Sequence, residues 1–197
     1  MYFLRAAILV ALALALSACS DRASVVPQFK STDITGLDWG HDFHLTDHNG
    51  KPRSVADFKG KVMMLFFGYT HCPDMCPLAL HDMALTVEKL GKDSARVQGL
   101  FVTVDPKRDT PEVLAKYVPA FNPTFLGLYA DEKTTAATAK EFKVFYSAQA
   151  ADAQGNYTVD HNAGIYVFDT HGRLRLFMGG GKTVDAMVHD IGRLLKE

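Results

Sequence analysis

Little in this sequence is available for cross-linking: three of its 197 residues are cysteine, Cys19, Cys72 and Cys76. A disulfide framework is therefore excluded as the basis of the fold, and the odd count leaves one thiol to be accounted for separately. No apolar run reaches the roughly 20 residues that a permanent membrane helix requires. No charge excess exists either, with 21 basic and 22 acidic residues and no basic tract, so the footprint of a polyanion-binding protein is missing and nucleic acid is not an expected partner. Internal repeats and low-complexity tracts are absent as well. What remains, 48% hydrophobic and 22% charged residues, is the composition of one ordinary globular domain with enough apolar material for a core.

The first residues differ from the rest. Arg5 is their only charge, an apolar run extends from Ala6 to Leu16, and Leu16-Ser17-Ala18-Cys19 follows. The run has the length of a secretion-signal core. The tetrapeptide resembles a bacterial lipobox, which makes 1–18 a lipoprotein signal peptide, Cys19 the lipidated first residue of the mature chain, and 19–37 a tether. Ordinary cleavage after Ser17, with Cys19 left as a free thiol, is the alternative. Either route puts the domain, 38–197, outside the cytoplasm, in the envelope of a bacterium. Cys72 and Cys76 then form a self-contained pair where thiols tend to be oxidised.

Residue patterns within 38–197 predict an α/β fold. Phe43 and Leu45 alternate with polar neighbours before the Asn49-Gly50 turn signal, and the chain returns over 53–55, which predicts an N-terminal hairpin. The run 61–67 between two glycines reads as a buried central strand. An amphipathic helix follows with Leu80, Ala84, Val87 and Leu90 on its apolar face. Further strands are expected over 97–104, 124–129, 165–168 and 174–177. Helices are expected over 110–120, 132–142 and 184–196, and a second hairpin pairs 144–149 with 157–159. Strand–helix alternation followed by a terminal hairpin implies a mixed sheet with a largely parallel centre.

The chemistry concentrates at Cys72-Pro73-Asp74-Met75-Cys76, the mouth of the first helix. Unpaired N–H groups and the positive dipole end stabilise a thiolate there, and thiolate is the form that attacks disulfides and binds metal. Pro73 disfavours helical geometry at Cys72, so Cys72 should lie outside the helix and Cys76 within its first turn. Positions i and i+4 of a regular helix hold Cβ atoms about 5–6 Å apart, whereas a disulfide wants about 3.5–4.5 Å. A metal tolerates the wider gap, so the spacing favours chelation with a reversible disulfide as a second state.

The stretch from Gly68 to Pro77, GYTHCPDMCP, resembles the signature of the Sco/SenC family of copper proteins. The stretch from Val104 to Pro111, VDPKRDTP, resembles that family's second motif, and Asp160-His161 is a third match. The resemblance runs from about Phe43 to the end. It implies a thioredoxin-like fold, a copper ion held as Cu(I) or Cu(II) by Cys72, Cys76 and His161, and a role in maturing the copper centre of cytochrome c oxidase. The implied partners are the oxidase's copper-bearing subunit and a periplasmic copper donor or thiol reductase. Thiolates suit Cu(I), and an added imidazole suits Cu(II); zinc would compete.

A thiol–disulfide oxidoreductase working through Cys72 and Cys76 is the second reading. Peroxidase chemistry is disfavoured, because Tyr69 and Leu65 occupy the positions where peroxiredoxins carry Thr or Ser and Pro. Two family positions depart: His71 stands where an aromatic is common, and Asn162 where a small hydroxyl residue is common. His41, His44 and His48, with Asp42 and Asp47, read as exposed hairpin residues, His81 as pointing away from the site, His171 as a turn residue and His189 as a helix-surface one. His161 is expected in a loop entering a strand. Asp160 is expected either to orient its ring or to face water. The loop 105–112 reads first as a strand stop and helix start, with Asp105, Arg108 and Asp109 available to present the site to a partner.

Overall fold

A computed structural model describes residues 29–162 and 164–197; the expected signal segment, Cys19 and the first part of the tether lie outside them. The strands are β1 (Thr32–Asp33), β2 (Leu45–Asp47), β3 (Pro52–Arg53), β4 (Val62–Gly68), β5 (Val97–Thr103), β6 (Leu126–Tyr129), β7 (Tyr146–Ala148), β8 (Val159–His161), β9 (Gly164–Phe168) and β10 (Leu174–Gly179). The helices are α1 (Met75–Lys89), α2 (Pro111–Tyr117), α3 (Glu132–Glu141) and α4 (Val184–Leu194). Eight strands form one sheet in the order β1-β10-β9-β4-β5-β6-β2-β3, and β7 and β8 pair separately. Strands β4, β5 and β6 run parallel and β9 antiparallel to β4, which is the mixed, thioredoxin-like arrangement that the sequence resemblance implies.

Strand β4 is buried along its whole length because both faces are covered. On one face Phe66 meets Phe101, which meets Tyr117 at the end of α2. Leu80 and Met83 of α1 and Ile191 and Leu194 of α4 are fully buried on this side, where α1 packs beside α4. On the other face Phe67 meets Phe142, just past α3, and Tyr166 of β9. The buried stripe of α1 is Cys76, Leu80, Met83, Thr86 and Val87; Ala84 and Leu90, expected on it, are only half-buried. Among the described residues no helix is long and apolar enough to cross a membrane.

Two local differences from expectation have clear causes. The segment 29–37, expected as tether, joins the fold, for β1 adds to the free edge of β10. Its approach is fixed by the buried carboxylate of Asp190 in α4, which accepts the Lys30 and Ser31 N–H groups at 2.8 Å each, while His189 reaches the same carboxylate at 2.8 Å. Asp47, expected to be exposed, is buried: it takes the N–H groups of Asn49 and Lys51 and the Arg53 guanidinium, and so closes the first hairpin. His48 is half-buried and accepts the Gly127 N–H at 3.0 Å.

For Asp47, Asp169 and Asp190 burial is the largest single influence and raises the pKa, but hydrogen bonds to each carboxylate together outweigh it and hold it below the ordinary range. Depressed folded values mean that the unfolded chain takes up these protons first as pH falls. Their contribution to stability is therefore full above about pH 4 and is lost progressively below it. Asp190→Ala leaves two backbone donors unpaired and is expected to cost about 3 kcal/mol, read by urea unfolding at pH 7, with a penalty that shrinks in acid. A penalty that instead grew below pH 4 would contradict this account of the carboxylate.

Candidate metal centre

Strand β4 ends at Gly68, and the next residues carry the cysteine loop. Gly68 is needed for its lack of a side chain: a Cβ there would lie 2.9 Å from Cys76 Sγ and from the rings of Phe66 and Phe101. The loop is held from below by Asp109, whose buried carboxylate accepts the Thr70 N–H at 3.0 Å and the hydroxyls of Thr70 and Thr103 at 2.6 Å each. Thr103 is the last residue of β5, so one carboxylate joins the ends of two adjacent parallel strands.

Cys72 lies before α1 and Cys76 in its first turn, as the proline between them predicts. Asp74 sits at the N-cap without a side-chain capping bond. Cys72 Sγ takes that role, accepting the Cys76 N–H at 3.4 Å, where a helix start leaves donors to be satisfied. The two thiols consequently differ. Burial tends to raise the Cys72 pKa, but the N–H groups of Asp74, Cys76 and Met75 together bring it below its ordinary value. Burial pushes Cys76 strongly upward, aided by the neighbouring Cys72 sulfur. Both are unbridged, Cys72 half-buried and Cys76 buried.

His161 comes from the other side. It is the last residue of β8, not a loop residue as expected, because β8 continues its pairing with β7 to Tyr146 opposite His161. Asn162 then closes the hairpin, its Oδ1 accepting the Phe145 N–H at 2.7 Å. The imidazole edge-packs against Phe66 and Tyr69, with ring centroids 6.1 and 6.0 Å away. Burial lowers its pKa, which keeps a nitrogen lone pair free near neutral pH. Nε2 lies 3.4 Å from Cys76 Sγ, and Nδ1 faces the Asn162 carbonyl at 3.4 Å. Asp160 does not orient the ring; it is exposed and accepts from Gln149.

The three donor atoms of Cys72, Cys76 and His161 lie within 4.8 Å of one another. Donors bound at about 2.0–2.3 Å to a single ion stand no more than about 4.6 Å apart, so this cluster fits one metal after closing by a few tenths of an ångström. Two soft sulfurs and one nitrogen form a donor set for copper or zinc, not for calcium or magnesium. His71 is exposed and turns to Thr70 Oγ1 at 3.1 Å, away from the donor cluster. His81 is exposed on the far side of its turn, and His41, His44, His171 and His189 face carboxylates outside the site.

Sequence patterns gave no sign of two features of the site. The aromatic wall behind His161 uses Phe66, which reads as an ordinary strand residue. The loop 105–112 is indeed a strand stop and helix start, with Thr110 capping α2 through Val113 N–H, but its side chains also reach both ligand-bearing segments. Asp109 holds Thr70, and Arg108 and Asp105 hold Tyr157, four residues before His161.

The sequence profile of the SCO1/SenC family matches residues 31–196. The mouse "Protein SCO2 homolog, mitochondrial" is 39% identical over 154 residues, which is 77% of this chain and 60% of the mouse protein, so the chain spans a little over half of that relative's length. The "SCO2-like protein" of Rickettsia felis is 40% identical over 135 residues, covering 68% of this chain and 66% of that one. Among solved structures, Bradyrhizobium japonicum ScoI with copper bound superposes with a TM-score of 0.72 at 37% identity, covering 78% of this chain and 98% of that one.

Differential labelling tests the asymmetry of the thiols. In the native metal-free protein iodoacetamide is expected to modify Cys72 and leave Cys76 untouched until unfolding, read by peptide mass spectrometry; equal native rates would contradict the geometry. Gly68→Ala is expected to cost about 1–3 kcal/mol through overpacking and to displace Cys76 Sγ, so that Cys76 becomes labelled in the native state.

Proposed function

The chain belongs to the SCO1/SenC family, and from that premise we propose that it is a copper-binding assembly factor that serves the copper centre of cytochrome c oxidase. The observation that carries this reading is the convergence of Cys72, Cys76 and His161, 85 residues apart in sequence at the second and third positions, around one ion-sized volume. Copper is the cargo. Two thiolates satisfy Cu(I), and the neutral imidazole adds the harder donor that Cu(II) prefers. The half-buried Cys72 is the exchangeable ligand, for its sulfur is the one that a partner's donor can approach. Copper bound to the Bradyrhizobium ScoI, which shares the fold and more than a third of its residues, supports copper over zinc.

The partner is the copper-bearing subunit of the oxidase, with a periplasmic copper donor or a thiol reductase upstream. A lipid on Cys19 anchors the domain to a bacterial envelope membrane, with the metal centre facing the periplasm or exterior. Similarity to a bacterial relative, the Rickettsia felis protein, is in keeping with that setting.

The asymmetric thiols favour a second reading, thiol–disulfide exchange with the same oxidase. Cys72, the more accessible and more acidic thiol, would attack a partner disulfide. Cys76 would then displace the partner's second sulfur, leaving two partner thiols and a Cys72–Cys76 disulfide. In this reading His161 is dispensable.

Copper titration of parent and His161→Ala separates the two. The copper reading expects Cu(II) binding to fall by about 10-fold or more once the imidazole is lost, with exchange kinetics toward a disulfide peptide unchanged. Undiminished binding of both Cu(I) and Cu(II) by His161→Ala would remove the three-ligand site and leave the exchange reading standing.

A further inference from the structure

The hairpin that carries His161 is not part of the main sheet. Strands β7 and β8 pair only with each other, so no strand ladder fixes the imidazole relative to the cysteine loop. Apolar contact holds the hairpin to the body through buried Val144 and Val159 and half-buried Tyr146. A polar attachment of the hairpin to the body is made at Tyr157. The Arg108 guanidinium donates from Nη1 to the Tyr157 carbonyl at 2.8 Å and lies over the Tyr157 ring, 3.5 Å from the centroid. Nε of the same group donates to Asp105 Oδ2 at 2.5 Å, and the Tyr157 hydroxyl donates to Asp105 Oδ1 at 2.9 Å, closing a ring of three residues. Asp105 is itself fixed to the end of β5, its N–H donating to Thr103 Oγ1 at 2.9 Å. Arg108 also stands 5.7 Å from the centroid of Tyr69, the ring that packs against His161.

Resting on the copper-binding reading above, we propose that Arg108 is a positioning residue for the metal centre: by clamping Tyr157 it holds the His161 hairpin over the cysteines and so sets the affinity for Cu(II) relative to Cu(I). It touches no donor atom. A planar fork that satisfies a carboxylate, a carbonyl and a ring face at once resists sliding and rotation of the hairpin, which a point charge would not. The selectivity follows from ligand chemistry. Cys72 and Cys76 sit on the body of the fold and keep Cu(I) without help, whereas Cu(II) depends on the imidazole being in place.

The test uses the full chain. Arg108→Ala is expected to lower Cu(II) affinity by about 10–100-fold, the usual range for losing a partner behind a ligand, and to leave Cu(I) affinity as in the parent. In the metal-free protein, amide hydrogen exchange at Tyr146–Ala148 and Val159–His161 should accelerate while β4 and β5 stay protected. In a His161→Ala background Arg108→Ala should have no further effect on Cu(II), because the clamp acts through that imidazole. Parent-like Cu(II) binding and hairpin exchange in Arg108→Ala would overturn the proposal, as would an equal loss of Cu(I) and Cu(II). Were the parent itself to bind copper without need of His161, the copper-site reading would be the one to fail. Hairpin exchange in Arg108→Ala would still decide whether the clamp exists.

Discussion

One buried carboxylate, that of Asp109, sets the geometry on which the metal centre depends. It accepts from the Thr70 backbone and from the hydroxyls of Thr70 and Thr103, and thereby fixes how the chain turns after β4. Burial is the strongest influence on it and pushes its pKa up, against those hydrogen bonds, which lower it. Everything downstream inherits the turn: Cys72 emerges beside the start of α1, and Cys76 is pressed against the bare backbone of Gly68. The parallel pairing of β4 with β5, with Gly68 opposite Thr103, brings Thr103 to the right level for the bond.

From that fixed turn the site is completed by a second segment, the separately paired hairpin of β7 and β8. The cysteines ride on a strand and a helix buried in the core, while His161 rides on a separate two-stranded hairpin. The loop 105–112 lies between them and bonds to both, through Asp109 on one side and Arg108 with Asp105 on the other.

Much of this was legible in the sequence, and the boundary of legibility has a physical origin. Strands, helices and both hairpins followed from local pattern, as did the placement of Cys72 outside and Cys76 inside the helix, because Pro73 acts on its immediate neighbour. His161 had no comparable local signal and was singled out by resemblance to the Sco/SenC pattern. Its place at the end of β8 depends on pairing with Tyr146, a contact that no short window contains. The same holds for the arm 29–37, whose anchor Asp190 is about 160 residues away, and for Tyr157, which lies 49 residues from Arg108. Asp47 was misplaced for a different reason. A charged residue beside Asn49-Gly50 reads as solvated, yet here the turn's own N–H groups and Arg53 replace water around it.

The three residues between the cysteines can now be given a structural meaning. With this spacing the Cys72 sulfur reaches back to the N–H of Cys76 in the first turn of α1 and serves as the helix cap that Asp74 does not provide. The bond draws Cys72 toward the thiolate, while Cys76, sunk against Phe66, Phe101 and Gly68, remains a thiol in the absence of metal. A pair of this kind does not need to close on itself to be satisfied, since one sulfur is already hydrogen-bonded and the other already packed. A metal held here would have to displace the Cys76 proton, beside an imidazole whose pKa burial lowers and a Cys72 thiol whose pKa the helix-start N–H groups lower. Spacing, cap and burial thus act together to favour a metal between the sulfurs over a bond joining them.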